Sequence, residues 1–307
     1  LGWKSAAEHW STVTVAGGKA LSLAKAMPAL LPKAATAVAR AVAGSETVPA
    51  YETVLPAGGS RRKPLESPAA VAVYFPACIG TMFGPAGAGG GVSAAFLELC
   101  GRAGVDVRIP SGIGELCCGT PWKSKGFAKG YSVMTERVLA NLWEATGGGA
   151  LPVVCDAASC TEGLDTMKRL AGESPEYPGL VFVDSVEFVR ENVLPGLEVT
   201  RKLPSMALHP TCSSTQLGAN EALRALADAV ADEVFVPPSW GCCAFAGDRG
   251  LLHPELTESA TDKQAAEINE REFAAYASVN RTCEIGMSKA TGHTYRHVLE
   301  YLAEATR

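Results

Sequence analysis

Tyr74-Phe75-Pro76-Ala77-Cys78 closes an apolar run, and Leu208-His209-Pro210-Thr211-Cys212 repeats that ending 134 residues later. Two further matches follow in the same order. Cys117-Cys118-Gly119 returns as Cys242-Cys243-Ala244 at an offset of 125 residues. Ser159-Cys160-Thr161-Glu162-Gly163-Leu164 returns as Thr282-Cys283-Glu284-Ile285-Gly286-Met287 at an offset of 123. Order is kept and spacing nearly so, which means that two halves share one plan.

Around these landmarks, short apolar runs alternate with Ala/Leu/Glu-rich segments. Strands are predicted over 70–75, 105–109, 151–154, 180–183, 205–208, 234–236 and 275–279. Helices are predicted over 92–103, 131–146, 164–172, 220–232, 258–273 and 295–305. Such alternation argues for an α/β fold of two pseudo-repeated Rossmann-like halves with mostly parallel sheets. Residues 5–43 are Ala-rich with Lys at helical intervals, interrupted by Gly17-Gly18, Pro28 and Pro32, and read as two or three short helices. Residues 44–68 have linker composition. The expected organisation is a helical leader and linker over 1–68, a first repeat over 69–204 and a second over 205–307.

The 307 residues are 47% hydrophobic and 19% charged, enough apolar material for one large or two modest domains. This composition excludes disordered, collagen-like and disulfide-miniprotein classes. No apolar stretch is long and uncharged enough for a membrane span, and no clean h-region marks a signal peptide. A cytoplasmic location is expected, and clustered cysteines in a reducing compartment point to metal or redox chemistry. Residues 1–66 carry eight Lys/Arg against four Glu, whereas the remainder carries 19 against 28. The acidic body argues against a nucleic-acid partner. The basic leader suits either a solvated tail or peripheral contact with a partner or the inner membrane face. The chain begins at Leu1, as expected of a processed product or a fragment.

Eight of the ten cysteines form two sets: Cys78, Cys117, Cys118 and Cys160, then Cys212, Cys242, Cys243 and Cys283. Each set is a lone Cys at a strand end, a vicinal pair, and a further Cys. Strand carboxyl ends of a doubly wound sheet converge on one edge, so thiolates from three loops can meet there. Four thiolates suit tetrahedral Zn or an iron–sulfur cluster. Consecutive side chains diverge, which favours a multinuclear cluster over one ion, and no Cys-x2-Cys knuckle of the structural-zinc kind occurs among the eight. Buried inert cysteines and vicinal redox disulfides are the alternatives. Cys155, five residues before Cys160, is either an extra ligand or a buried strand-end residue. Cys100 reads as core.

Other signals are weaker. The Gly84–Gly91 stretch fits no dinucleotide or P-loop pattern and reads as a permissive loop beside Cys78. His293 and His297 are four apart but lack the intervening Glu of a zinc-protease helix, and read as a surface pair at a helix start. His209, three before Cys212, is placed to donate to a ligand sulfur or simply to pack. Lys123, Lys125 and Arg249 follow the vicinal pairs, either as ordinary surface charge or as cations that raise a cluster's potential.

At these residues the sequence resembles the cysteine-rich CCG domain family over roughly 69–307. That family includes a cysteine-rich component of heterodisulfide reductase, iron–sulfur subunits of glycolate oxidase and anaerobic glycerol-3-phosphate dehydrogenase, and C-terminal regions of FAD-linked D-lactate dehydrogenases. Phe75-Pro76-Ala77-Cys78-Ile79-Gly80, Phe245-Ala246-Gly247-Asp248-Arg249-Gly250 and Thr282-Cys283-Glu284-Ile285-Gly286-Met287 are most similar to the last branch. There, an FAD domain oxidises the hydroxyacid and the cysteine-rich modules carry electrons toward a quinone or cytochrome. The family's terminal Cys-x-x-Cys is broken here by Gly163 and Gly286, so its five-thiolate cluster does not carry over directly. No FAD-binding region and no ferredoxin-like cysteine run are present.

The resemblance implies an oxidoreductase-associated electron-transfer module binding one or more iron–sulfur clusters of the [4Fe-4S] type. FAD would reside on a partner dehydrogenase domain or subunit, and this chain alone is not expected to oxidise D-lactate. Rival readings are a thiol–disulfide reductase of the heterodisulfide type and a Zn-stabilised interaction domain.

Overall fold

A computed structural model describes residues 2–87, 89–171, 177 and 179–306. Eight strands form two four-stranded sheets, every pairing within them parallel. The first contains β1 (Ala72–Phe75), β2 (Val107–Arg108), β3 (Val153–Cys155) and β4 (Phe182–Asp184). The second contains β5 (Met206–Leu208), β6 (Val234–Phe235), β7 (Ala275–Ser278) and β8 (Arg296–His297). Their orders are β2-β1-β3-β4 and β6-β5-β7-β8. The central strands β1, β3, β5 and β7 are buried along their whole length, as sheets covered on both faces require.

Helices precede and separate these strands. The leader forms α1 (Gly2–Glu8), α2 (Trp10–Ala26) and α3 (Leu30–Ala43). The first half adds α4 (Ile79–Met82), α5 (Gly91–Ala103), α6 (Thr120–Lys123), α7 (Ala128–Ala145), α8 (Ala158–Ala171) and α9 (Ser185–Phe188). The second adds α10 (Cys212–Gln216), α11 (Asn220–Val230), α12 (Arg249–Leu252), α13 (Pro254–Ile268), α14 (Arg281–Thr291) and α15 (Val298–Ala305). Element for element, α4 to α9 follow the first four strands as α10 to α15 follow the last four. The repeat read from the cysteines is thus a repeat of the fold.

Both sheets place their first strand beside their third, with the second strand outside it. Successive crossovers therefore leave in opposite directions, opening a crevice beyond the carboxyl ends of β1 and β3, and likewise of β5 and β7. The halves meet through helices: α15 packs on α5, and α11 lies against α15 and α9. Arg102 donates to the Ala303 carbonyl at 2.7 Å, and Arg281 reaches the Gly84 carbonyl. One hydrophobic core runs through the leader and both halves, from Ala7 and Trp10 through Phe96 and Leu142 to Leu302. A second core gathers Phe245, Ile268, Tyr276 and Tyr295 in the second half, with Leu55 and Phe83.

Several expectations need correcting. Gly17-Gly18 does not interrupt α2. A Cβ on Gly18 would stand 2.6 Å from the Thr81 carbonyl oxygen, so this glycine permits a close crossing over α4. The leader is not a solvated tail: α1 packs on α7, α2 on α4, and Ala7, Trp10 and Thr14 are buried. Residues 44–68 run over the body, with Leu55 buried and Ala50 N donating to the Leu251 carbonyl. Among the leader helices, α3 leaves Leu30, Leu31, Val38 and Val42 exposed.

At the chain's end, the helix expected over 295–305 starts at Val298, because Arg296–His297 pairs with β7 as β8. His297 is not a surface residue. It is buried and caps α15, accepting from Leu299 N at 3.2 Å while Glu300 accepts from His297 N. Burial holds its imidazole pKa down at about 3. Helix α14 has no counterpart among the predicted helices, and α13 lies earlier than expected, ending at Ile268. The helix expected to begin at Leu164 starts at Ala158; Gly172, its expected end, and Ala88 of the glycine-rich loop lie outside the described residues.

Asp184 ends β4 and caps α9, accepting from Val186 N at 3.0 Å and from the Thr161 hydroxyl at 3.2 Å. Burial pushes its pKa up from 3.8 to about 7. The folded chain then holds this proton more tightly than the unfolded one. The associated stability is complete below about pH 4 and is lost as pH rises through about 7. Asp184→Asn, which keeps a capping oxygen without charge, is expected to flatten the fall in denaturation midpoint between pH 4 and 8. It should also stabilise the chain at pH 8 by roughly 1–3 kcal/mol, as read by urea melts of the metal-free protein.

Candidate metal centre

Each cysteine set stands where its sheet opens. Three residues beyond β1, Cys78 leads into α4, while Cys155 ends β3 and Cys160 lies in the first turn of α8. The vicinal pair Cys117-Cys118 comes from the loop between β2 and α6. In the second half Cys212 opens α10, Cys242-Cys243 follow β6, and Cys283 sits in the first turn of α14. All eight are free thiols.

In the first half the sulfurs form a chain. Cys78 Sγ is 3.6 Å from Cys117 Sγ, Cys118 lies against Cys117 and Cys160, and Cys160 lies against Cys155. Cys155, compatible by sequence with either ligand or core, therefore joins the site as a fifth thiol, and all five are buried. Shared protons split the thiols along the chain. Cys78 is lowered, first by its hydrogen bond with Cys117. Cys118 is lowered well below its usual value, first by Cys117 and then by Cys160. Cys117 is raised, chiefly by burial, and Cys160 chiefly by donating to Cys118.

The second half pairs its thiols two by two. Cys243 Sγ lies 3.1 Å from Cys283 Sγ, and the Cys242 thiol lies against that of Cys212. Cys242 is lowered to about 6, chiefly by that partner, and Cys243 is lowered by Cys283 and by the His209 imidazole. Ala244 N also donates to Cys242 Sγ at 3.4 Å. Cys212 and Cys242 are exposed, unlike any thiol of the first half. Ser278 occupies the place of Cys155 and donates to the His209 carbonyl at 2.9 Å.

His209, open by sequence to packing or to donating to a sulfur, is buried beside Cys243 and Cys283. Its Nδ1 is 3.1 Å from Gln264 Oε1, and its buried Nε2 has no partner. A ligand atom of His209 and the Cys243 and Cys283 sulfurs all lie within 4.8 Å of one another, the one such group among the described residues.

The backbone bends directly after each vicinal pair. Gly119 follows the first pair at φ 78°, and a Cβ there would stand 2.2 Å from Met167 Cε. In the second half Ala244 adopts the same left-handed region at φ 53°, at a cost that glycine avoids. The chain thus turns sharply after each pair instead of running on extended.

Three supporting residues carry no signal in the sequence. Asp156 accepts from Tyr74 Oη at 2.5 Å and from Ala77 N at 2.7 Å, pinning the loop that presents Cys78. Arg62 donates to the Pro76, Gly114 and Leu116 carbonyls, just before Cys78 and Cys117. Asn280 accepts from Ser159 N and donates to Ser213 Oγ, tying the two sites' loops together. The basic residues that follow the vicinal pairs are engaged elsewhere or exposed. Lys123 pairs with Glu162, Lys125 bridges to Asp248 across the halves, and Arg249 is exposed. Cys100 lies in the core of α5, its pKa raised by burial to about 12.

The donor set fits a multinuclear thiolate centre. A tetrahedral zinc holds its sulfurs about 3.8 Å apart in one knot. The first-half thiols are strung out along a chain, as several metal ions spaced a few ångströms apart would need.

The CCG cysteine-rich domain model matches residues 72–165 and 206–288. Lactate utilization protein A of Bacillus velezensis is 24% identical over 202 residues, covering 62% of this chain and 82% of that protein. The glycolate oxidase iron–sulfur subunit of Escherichia coli K12 is 24% identical over 222 residues, covering 69% of this chain but only 54% of its own length. The matched segments take in all eight repeated cysteines and more than half of the residues, and the chain belongs to the CCG cysteine-rich domain family.

Proposed function

We propose that this chain is an iron–sulfur electron-transfer module of a FAD-linked D-lactate or 2-hydroxyacid (or glycolate) dehydrogenase. The observation that carries the reading is the gathering of two cysteine sets at equivalent sheet edges, one of them as a buried string of thiols. Names of the similar proteins, a lactate utilization protein and a glycolate oxidase iron–sulfur subunit, point the same way. In this reading Cys78, Cys117, Cys118 and Cys160 hold one centre, and Cys212, Cys242, Cys243 and Cys283 the other. Residues 69–204 and 205–307 are then the two cluster-bearing repeats.

A bound [4Fe-4S]-type cluster supplies one-electron uptake and release. The chain's own residues set the conditions. Thiols already lowered by their neighbours, Cys78, Cys118, Cys242 and Cys243, give up their protons to become ligands most readily. The thiols of the first site are all buried, and the Ala244 N–H donates to a thiol of the second. The FAD belongs to a partner subunit or domain, and the acceptor is a quinone or cytochrome. Among the described residues, no helix is long and apolar enough to cross a membrane. Contact at the inner membrane face would fall to exposed groups such as the apolar side chains of α3.

One observation favours a second reading for the second half alone. The compact triad of His209, Cys243 and Cys283 is of a size to hold a single zinc ion.

Cys118→Ser and Cys243→Ser are each expected to lose the iron of their own half, and Cys100→Ser to lose none, by metal analysis of anaerobically reconstituted protein. Full iron in both ligand variants would refute the assignment; zinc retained beside Cys243 would establish the second reading. Mixed with a FAD-dependent D-2-hydroxyacid dehydrogenase and D-lactate, the reconstituted chain should be reduced, seen as visible bleaching. D-lactate alone should leave it oxidised.

A further inference from the structure

The leader gives the first cysteine site features that the second lacks. Helix α2 crosses α4, the short helix that follows Cys78, with backbone against backbone. A Cβ on Gly58 would meet the Gly18 carbonyl oxygen at 2.2 Å, and one on Gly18 the Thr81 carbonyl oxygen at 2.6 Å. The first residue of α2, Trp10, is buried, its ring centroid 4.7 Å from that of Trp122, four residues beyond Cys118. Trp122 satisfies its own indole N–H on the Trp3 carbonyl at 2.7 Å. The Trp10 indole N–H is buried with no acceptor, a loss of about 1–3 kcal/mol unless a partner arrives.

Cys78 is the thiol that this N–H faces, without a completed hydrogen bond between them in the metal-free site. Arg62 lies in the segment after α3, anchored on three carbonyls of the loops that carry Cys78 and Cys117, with its guanidinium carbon 6.0 Å from the Phe75 ring centroid. The leader therefore brings one N–H donor and one cation to a site whose thiols are all buried, while Cys212 and Cys242 stand exposed.

We propose that residues 2–62 are a built-in cap over the first centre, in which the Trp10 N–H donates to the Cys78 sulfur of the loaded site and Arg62 adds positive charge. This rests on the iron–sulfur reading for the loaded state, but the cap itself does not. A donor and a cation beside a ligand sulfur stabilise the more negative, reduced state and raise its potential. Exclusion of water slows oxidative loss of the metal. The second centre, without this cap, faces solvent.

The test uses the full chain, reconstituted without oxygen, with the first-centre EPR signal identified as the one missing in Cys118→Ser. Trp10→Phe keeps the ring and removes the N–H. Its first-centre midpoint is expected to fall by about tenfold in the reduction equilibrium, or about 59 mV for a one-electron couple, with the second centre unmoved. An unchanged midpoint overturns the hydrogen bond. Gly18→Val must push the leader off α4, and is expected to bleach the first centre in air several-fold faster than wild type.

The cap has its own readout in the metal-free chain. Iodoacetamide should alkylate Cys78 and Cys117 several-fold more slowly than Cys212 and Cys242, and Gly18→Val should abolish that protection. Equal rates in the wild type, or undiminished protection in Gly18→Val, overturn the cap. Wild-type protein that takes up no iron would instead refute the relay reading, and the alkylation rates would still decide on the cap.

Discussion

Everything chemical in this chain depends on where β1 and β3, and β5 and β7, lie side by side. Because the connections leaving each pair run to opposite sides, the crossover helices leave a space beyond their carboxyl ends. Cys78 and Cys160 enter that space in one half, Cys212 and Cys283 in the other, and a loop from the neighbouring outer strand adds a vicinal pair. Parallel pairing fixes this arrangement: the register sets Phe75 against Cys155 and Leu208 against Ala277, so the residues that follow emerge at one level. Slipping either pair would separate the thiols and expose strands that are buried throughout.

Two halves with one topology have nonetheless become unlike. The first keeps five thiols, adds the Asp156 clamp and lies beneath the leader. The second has Ser278 where Cys155 stands, places His209 beside Cys243 and Cys283, and leaves Cys212 and Cys242 exposed. Such differences separate redox properties, since burial, donors to sulfur and local charge are the protein's means of tuning a thiolate-bound centre. A relay benefits from a protected centre and an accessible one.

How much of this can be read from the residues follows the range of the forces involved. The eight cysteines are legible because duplication left the same local spelling twice, and the parallel α/β class because buried strands read as continuous apolar runs. Seven of the eight strands are marked for the same reason. The eighth, Arg296–His297, is two residues long, and its capping box merges with the helix behind it. Helix α14 is hidden by polar residues such as Arg281 and Glu284, which pair with each other in the interior. Trp10, Arg62 and Asp156 carry no local signal, because each acts across the fold on a loop distant in sequence. Gly17-Gly18 misleads for a related reason: glycine marks both a helix break and a close helix crossing, and only the partner backbone at Thr81 distinguishes them.

The most direct measurement is iron and acid-labile sulfide per chain, with EPR, on protein reconstituted without oxygen. About four to eight irons with matching sulfide and a reducible signal are expected of an iron–sulfur module, the count distinguishing one centre from two. Absence of iron uptake, with zinc or free thiols at these cysteines instead, would contradict that assignment and leave the fold without the relay.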